Sequence, residues 1–162
     1  MMSENTETHV RGWHLSKELP EEVYEVLRKA DRAITPVSVV ATVNEDGTPH
    51  TAPFGSLRAI SPTRLRIICF QYHHTFSNLL RDGLISASVL APPDIAVSIR
   101  GQAKLIRSKM KTDVNYAIFE IEIEQVKNDM VKTLMIDTPI TVSPHFEYQD
   151  WFDHALQELE TI

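Results

Sequence analysis

Cysteine, glycine and long apolar runs are scarce in this sequence, and each scarcity excludes something. The single cysteine, Cys69, rules out an internal disulfide. It sits in an apolar stretch, where the expectation is a small buried hydrophobe and not a reactive thiol. The five glycines, Gly12, Gly47, Gly55, Gly83 and Gly101, cannot form a G-x-G-x-x-G turn or a Walker A loop. That removes the usual parallel-sheet routes to nucleotide binding. Gly55-Ser56 lacks the flanking pattern of a G-x-S-x-G nucleophile elbow. No apolar run reaches the roughly 20 residues that span a bilayer, and no signal-peptide pattern is present, so a cytoplasmic protein free of membranes is expected.

Acids are also missing where they would be most disruptive to an anion. The chain has 22 Asp and Glu against 16 Lys and Arg, a formal charge of −6, which argues against nucleic-acid binding. Yet from Gly47 to Arg81 there is no acid at all, while Arg58, Arg64, Arg66, Arg81, His50, His73 and His74 fall inside that window. The run His73-His74-Thr75-Phe76-Ser77-Asn78 then leads into a short apolar helix. A helix start offers unpaired N–H donors and the positive end of a dipole, and local bases complete the charge, so this is the layout of a phosphate site. Adjacent histidines point in different directions from any regular backbone, which makes shared metal ligation awkward. No metal site is expected.

Residues 1–12 are polar and predict a frayed terminus. Pro20, the acids Glu21, Glu22 and Glu25, and the apolar spacing of Leu19, Val23, Val26, Leu27 and Ala30 predict an amphipathic helix closed by Arg28 and Lys29. The β-branched run Val37–Val43 and the turn Asn44-Glu45-Asp46-Gly47 predict a hairpin into a second strand near Thr48. Pro49 and Pro53 make that strand irregular or an edge, with a bulge near Gly55. A strand Arg64 to Phe70 follows, then a helix capped by Thr75 and ended at Gly83. Strands Leu84 to Ala91 and Ile95 to Ile106 come next, and then one in which Phe119, Ile121 and Ile123 alternate with Glu120, Glu122 and Glu124. That acidic row reads as a solvated face. Near the end, Tyr148, Trp151, Phe152, Ala155, Leu156 and Leu159 form one helical stripe, for which core packing is the expectation. The sum is a mainly β, α+β fold in one domain, 1–162: a six-to-seven-stranded antiparallel barrel with a short inserted helix and a helix at each terminus. Residues 1–32 form an arm and helix, 33–127 the barrel, and 128–162 a final strand or loop and helix.

The segments Val39-Val40-Ala41-Thr42-Val43, Asp46-Gly47-Thr48-Pro49-His50, Leu65 to Phe70, His73-His74-Thr75 with Asn78-Leu79 and Arg81-Asp82, and Ile99-Arg100-Gly101-Gln102-Ala103 stand in a telling order. Over about residues 34 to 126 the chain resembles the pyridoxamine 5'-phosphate oxidase-like family of FMN-binding split barrels. The resemblance implies a homodimer with FMN at the subunit interface. It implies a phosphate held by His73, His74 and Thr75, with Asn78 one turn on. Pro53, Phe54, Gly55 and Ser56, with Arg58 beyond, would lie along the ribityl chain and ring, and Cys69, Phe70 and Gln71 would meet the flavin through their backbone. One departure stands out, because His74 replaces the family's Lys or Arg.

The pyridoxamine phosphate oxidases proper, which the chain resembles only over the barrel, need further arginine and histidine residues near the C-terminus to grip the substrate phosphate; nothing beyond residue 132 here is Lys or Arg, so oxidation of pyridoxamine phosphate is not expected. The resemblance implies an FMN-dependent oxidoreductase acting on a small molecule. Its alternatives are a flavin or electron-transfer protein without its own substrate, and a cofactor-free dimeric barrel. Related barrels bind haem or a deazaflavin, and His73, His74 and His145 are the candidate haem ligands. The sequence names no catalytic residue.

Overall fold

A computed structural model describes residues 10–162; the frayed terminus predicted for 1–12 lies outside the described residues as far as residue 9. Two short strands and six longer ones alternate with three helices: β1 (Leu15–Ser16), α1 (Glu21–Arg28), β2 (Ser38–Val43), β3 (Pro49–Phe54), β4 (Arg58–Ser61), β5 (Arg64–Phe70), α2 (His74–Arg81), β6 (Leu84–Ala91), β7 (Ile95–Arg107), β8 (Tyr116–Asn128) and α3 (Gln149–Thr161). The longer strands are those the alternation predicts, and β1 and β4 bring the count to eight. All pairings are antiparallel, in the order β3-β2-β6-β7-β8-β5-β4, with β1 extending the β8 edge beyond β5.

That order forces closure. β3 and β4 stand at opposite ends of the path, yet only residues 55–57 join them. A link of that length spans at most roughly 14 Å, so the two edges must meet and the sheet must roll into a barrel. Ser56 seals the seam by standing in for a missing strand partner. Its Oγ accepts from the Ile68 N–H at 3.0 Å and lies 3.3 Å from the Ile68 carbonyl, to which it donates.

The barrel interior is filled by one apolar cluster that includes Val40, Leu57, Leu65, Ile67, Ile99, Phe119 and Ile121, joined by Leu19 and by Val23 and Leu27 of α1. Burial of this many aliphatic side chains is the main favourable term, at about 25 cal/mol per Å². β3 is an edge strand, as its prolines require, because a residue without an N–H is tolerated where no neighbour needs the bond. The bulge expected near Gly55 is not there. β3 pairs with β2 in unbroken register to Phe54, and the register shifts fall instead between Ala59 and Ser61 and at two places along β7.

α2 also starts differently from expectation. His73, not Thr75, is the cap: its backbone is extended and its Nδ1 accepts from the Thr75 N–H at 3.4 Å. Gly83 ends the helix with φ +70, and a Cβ there would lie 2.5 Å from the Ala103 carbonyl, so no other residue fits.

α3 docks on the outer face of the barrel through a second apolar cluster, Ala155, Leu156 and Leu159 against Ile68, Met110 and Ile118. Polar clamps hold it. The Glu158 carboxylate accepts from Arg107 Nη1 at 2.9 Å and from the Lys111 N–H, the Thr112 N–H and Thr112 Oγ1, each at 2.8 Å. Arg66 Nη1 donates to the Leu159 carbonyl at 2.8 Å. The expected acidic row of β8 faces outward, with Glu120 paired to Arg64 and Arg66 and Glu124 to Arg100. Among the described residues no helix is long and apolar enough to cross a membrane.

Candidate functional site

The seam between β3 and β4 opens onto a cleft of about 350 Å³. One wall is Ala52, Pro53 and Phe54 of β3 with Gly55 and Ser56; the other is Ile68 and Phe70 of β5, Tyr116 of β8, and Trp151, Phe152 and Leu156 of α3. The period-two alternation of β5 sends Ile68 and Phe70 to this face and Cys69 to the opposite one. Cys69 is fully buried in the barrel core, where burial pushes its thiol pKa up, so only its backbone can serve the cleft.

Aromatic rings dominate the α3 side. Tyr116 and Trp151 have ring centroids 4.8 Å apart, Trp151 and Phe152 5.1 Å, and Phe70 and Tyr116 5.2 Å. Trp151 packs against the α3 cluster as expected, but it and Phe152 are only half-buried and also line the cleft, while Ala155, Leu156 and Leu159 are fully buried.

At the other end the cleft meets histidines. His73 lines it, with its ring 6.3 Å from Phe54 and 5.7 Å from His50. His74 is also 5.7 Å from His50. Burial, then repulsion from His50 and His74, holds the His73 imidazole below its ordinary pKa. Thr75 is buried with its Oγ1 3.2 Å from His73 Nδ1. Asn78 is likewise buried and points away from the helix start. Its Nδ2 donates to Thr42 Oγ1 at 2.9 Å and Asn44 Oδ1 at 3.0 Å, which anchors α2 to β2.

Beneath Gly55 lie two buried cations. Arg58 is 1% exposed, donates through Nη1 to the Gly55 carbonyl at 3.2 Å and through Nη2 to the Ala33 carbonyl, and has Nε 3.4 Å from Glu160 Oε1. Burial pulls its pKa down to about 10, and the Glu160 carboxylate limits the fall. Lys29 Nζ donates to the same Gly55 carbonyl at 3.0 Å and to that of Ile34 at 3.2 Å. Burial, then repulsion from Arg58, pulls the Lys29 ammonium down to about 7.

Of the residues the sequence points to, Pro53, Phe54, Gly55, Ser56, Phe70 and His73 share the cleft. His74 is exposed at the helix start, whereas Arg58 supports the floor from below. Gln71 is turned to the β7–β8 connection, donating to the Ser108 and Val114 carbonyls at 2.6 and 3.0 Å. His145 precedes the turn Phe146–Tyr148 and is not among the residues that line the cleft. No group of three or more His, Cys, Asp or Glu among the described residues is arranged to hold a metal. Sequence reasoning missed Tyr116, Trp151, Phe152 and His50 as site residues, although His50 lay in the acid-free window.

An antiparallel sheet rolled in this order, with a helix inserted after β5 and a cleft at the seam, defines the split-barrel class. The sequence model for pyridoxamine 5'-phosphate oxidase matches residues 19–130, and the chain belongs to that family. Similar solved structures include a candidate pyridoxamine 5'-phosphate oxidase from Lactobacillus delbrueckii, with TM-score 0.55 and 20% identity over 74% of this chain and 98% of that one. An F420 reductase gives 0.54 at 14% identity, over 68% and 100%. The HupZ protein of Group A Streptococcus gives 0.53 at 15%, over 70% and 97%. Likenesses this distant establish the fold alone. No curated protein sequence matches the chain.

Proposed function

We propose that this protein binds FMN in the cleft and works as an FMN-dependent oxidoreductase on a small molecule. The observation that carries this reading is continuity. His73 is at once a wall of the aromatic cleft and a member of the imidazole cluster, so a ligand with a flat ring at one end and an anion at the other meets matching surfaces at both. In this reading Pro53, Phe54, Gly55, Ser56 and Phe70 border the ring and ribityl chain, and the backbone of Cys69 to Gln71 adds polar contacts. His73 and His74, with the α2 N–H groups near Thr75, take the phosphate. Asn78 and Arg58 act by holding α2 and Gly55 in place. When bound, FMN supplies hydride or electron transfer, and the chain binds, orients and keeps water out.

No Lys or Arg lines the cleft, which supports a substrate other than pyridoxamine phosphate. The cleft volume lies at the small end of ligand pockets, enough for one planar group. That favours, as a second reading, a flavin carrier whose partner brings the substrate. Turnover of candidate acceptors separates the two.

Homodimerisation belongs to the same reading. Leu134, Met135 and Phe146 are 67%, 69% and 93% exposed along the irregular arm between β8 and α3, and a second copy of the chain is the occupant this apolar edge fits. The visible spectrum of protein reconstituted with FMN tests the flavin reading. A two-band flavin spectrum that survives desalting supports it, and a colourless protein overturns it.

A further inference from the structure

His50 stands on β3 opposite the start of α2, and its Nε2 is shut off from water with no hydrogen-bond partner. A buried polar atom left unpaired is a cost that a ligand can remove. Its ring lies 5.7 Å from both His73 and His74, and His73 is the one of the three that lines the cleft. Permanent cations nearby are committed elsewhere. Arg58 is buried under Gly55, and Arg81 donates to the Val43 carbonyl and Asn78 Oδ1 and pairs with Asp82. The groups whose charge reaches His73 are His50 and His74, while Thr42 of β2 and Asn44 of the turn after it accept from Asn78.

We infer that His50 completes a three-imidazole cradle with His73 and His74, and that the cradle binds a phosphate monoester dianion by taking up protons, so that ligand retention is set by pH. The inference rests on the flavin reading for the identity of the ligand, but its content is different. Burial, then repulsion from His50 and His74, lowers the His73 pKa while no anion is present. A dianion among them reverses the balance and draws protons from solution. Lysine or arginine in the same place stays charged throughout and gives affinity that is flat in pH near neutrality. The replacement of a permanent cation by histidine thereby turns a fixed site into a proton-linked one.

Calorimetric titration of the full-length protein with FMN, in buffers of differing ionisation enthalpy, reads the proton count directly. Above the phosphate's own second pKa of about 6, uptake of about one proton per FMN is expected, with affinity weakening about tenfold per pH unit between roughly pH 7 and 8.5. Riboflavin, lacking the phosphate, binds without uptake, and His50→Gln lowers the count and flattens the profile. FMN binding with a buffer-independent enthalpy overturns the cradle and leaves the flavin reading standing. Unchanged uptake in folded His50→Gln removes His50 from it. Failure to bind FMN at any pH removes both.

Discussion

Trp151 of α3 packs its ring 4.8 Å from that of Tyr116 on β8, and its indole N–H donates to Asp113 Oδ2 at 3.2 Å. The contact fixes a helix outside the barrel against a strand inside it, and it places an aromatic wall where the seam would otherwise open to solvent. α3 is thus part of the site's construction as well as of its packing.

Trp151→Ala removes that wall. Aromatic pairs add about 0.5–1.5 kcal/mol beyond their buried area, so FMN affinity should fall roughly tenfold while the barrel remains folded. Fluorescence titration with a parallel melting curve measures both, and unchanged affinity would exclude Trp151 from the ligand's surroundings.

Glu158 governs how firmly α3 is clamped. Burial raises its pKa, but hydrogen bonds from Arg107, Lys111 and Thr112 outweigh it and bring the carboxyl to about 2 from 4.5. A depressed folded-state value means stabilisation present above about pH 4.5 and lost as pH falls towards 2. Glu158→Gln should cost about 1–3 kcal/mol at neutral pH, and thermal melts should show the gap to the parent chain narrowing towards pH 3. A gap that is constant with pH would show that the charge is irrelevant.

Lys29 has a linkage of the same sign in a higher pH window. Its folded pKa of about 7 lies below its ordinary 10.5, so the folded chain sheds this proton first and stability rises between those values, by at most about 1.4 kcal/mol per pH unit. Lys29→Met, which keeps the stem and leaves Arg58 to serve the Gly55 carbonyl, should lose ground to the parent chain as pH increases from 7 to 10. Denaturant melts across that range measure the difference, and parallel curves would show an unperturbed lysine.

The apolar arm gives a prediction about assembly. Light scattering coupled to gel filtration should report two chains per particle, and joint replacement of Leu134, Met135 and Phe146 by serine should shift the particle towards one chain. A monomeric parent protein would remove the second copy from the account.

The barrel was legible because its signals are local. Alternation in Phe119–Glu124, the Asn44–Gly47 turn, and Pro49 and Pro53 within β3 each specify strand geometry within a few residues. β1 and β4 were not legible, since two- and four-residue strands are defined by their partners and have no pattern of their own. The helical stripe of α3 showed that it docks, but a stripe cannot say which wall it meets, and so Trp151 read as core. His50 and Lys29 were missed as site and buried residues for the same reason. His50 matters only beside His73 and His74, which lie more than twenty positions away in sequence, and Lys29 is buried because the chain turns left-handed at φ 46 after α1.

The most direct test of the central claim is a paired titration of the purified protein with FMN and with riboflavin, followed by flavin fluorescence. Saturable quenching at one FMN per chain, with riboflavin bound at least tenfold more weakly, is the result predicted by an aromatic cleft that ends in an anion cradle. Equal affinity for the two flavins, or no quenching by either, would contradict it.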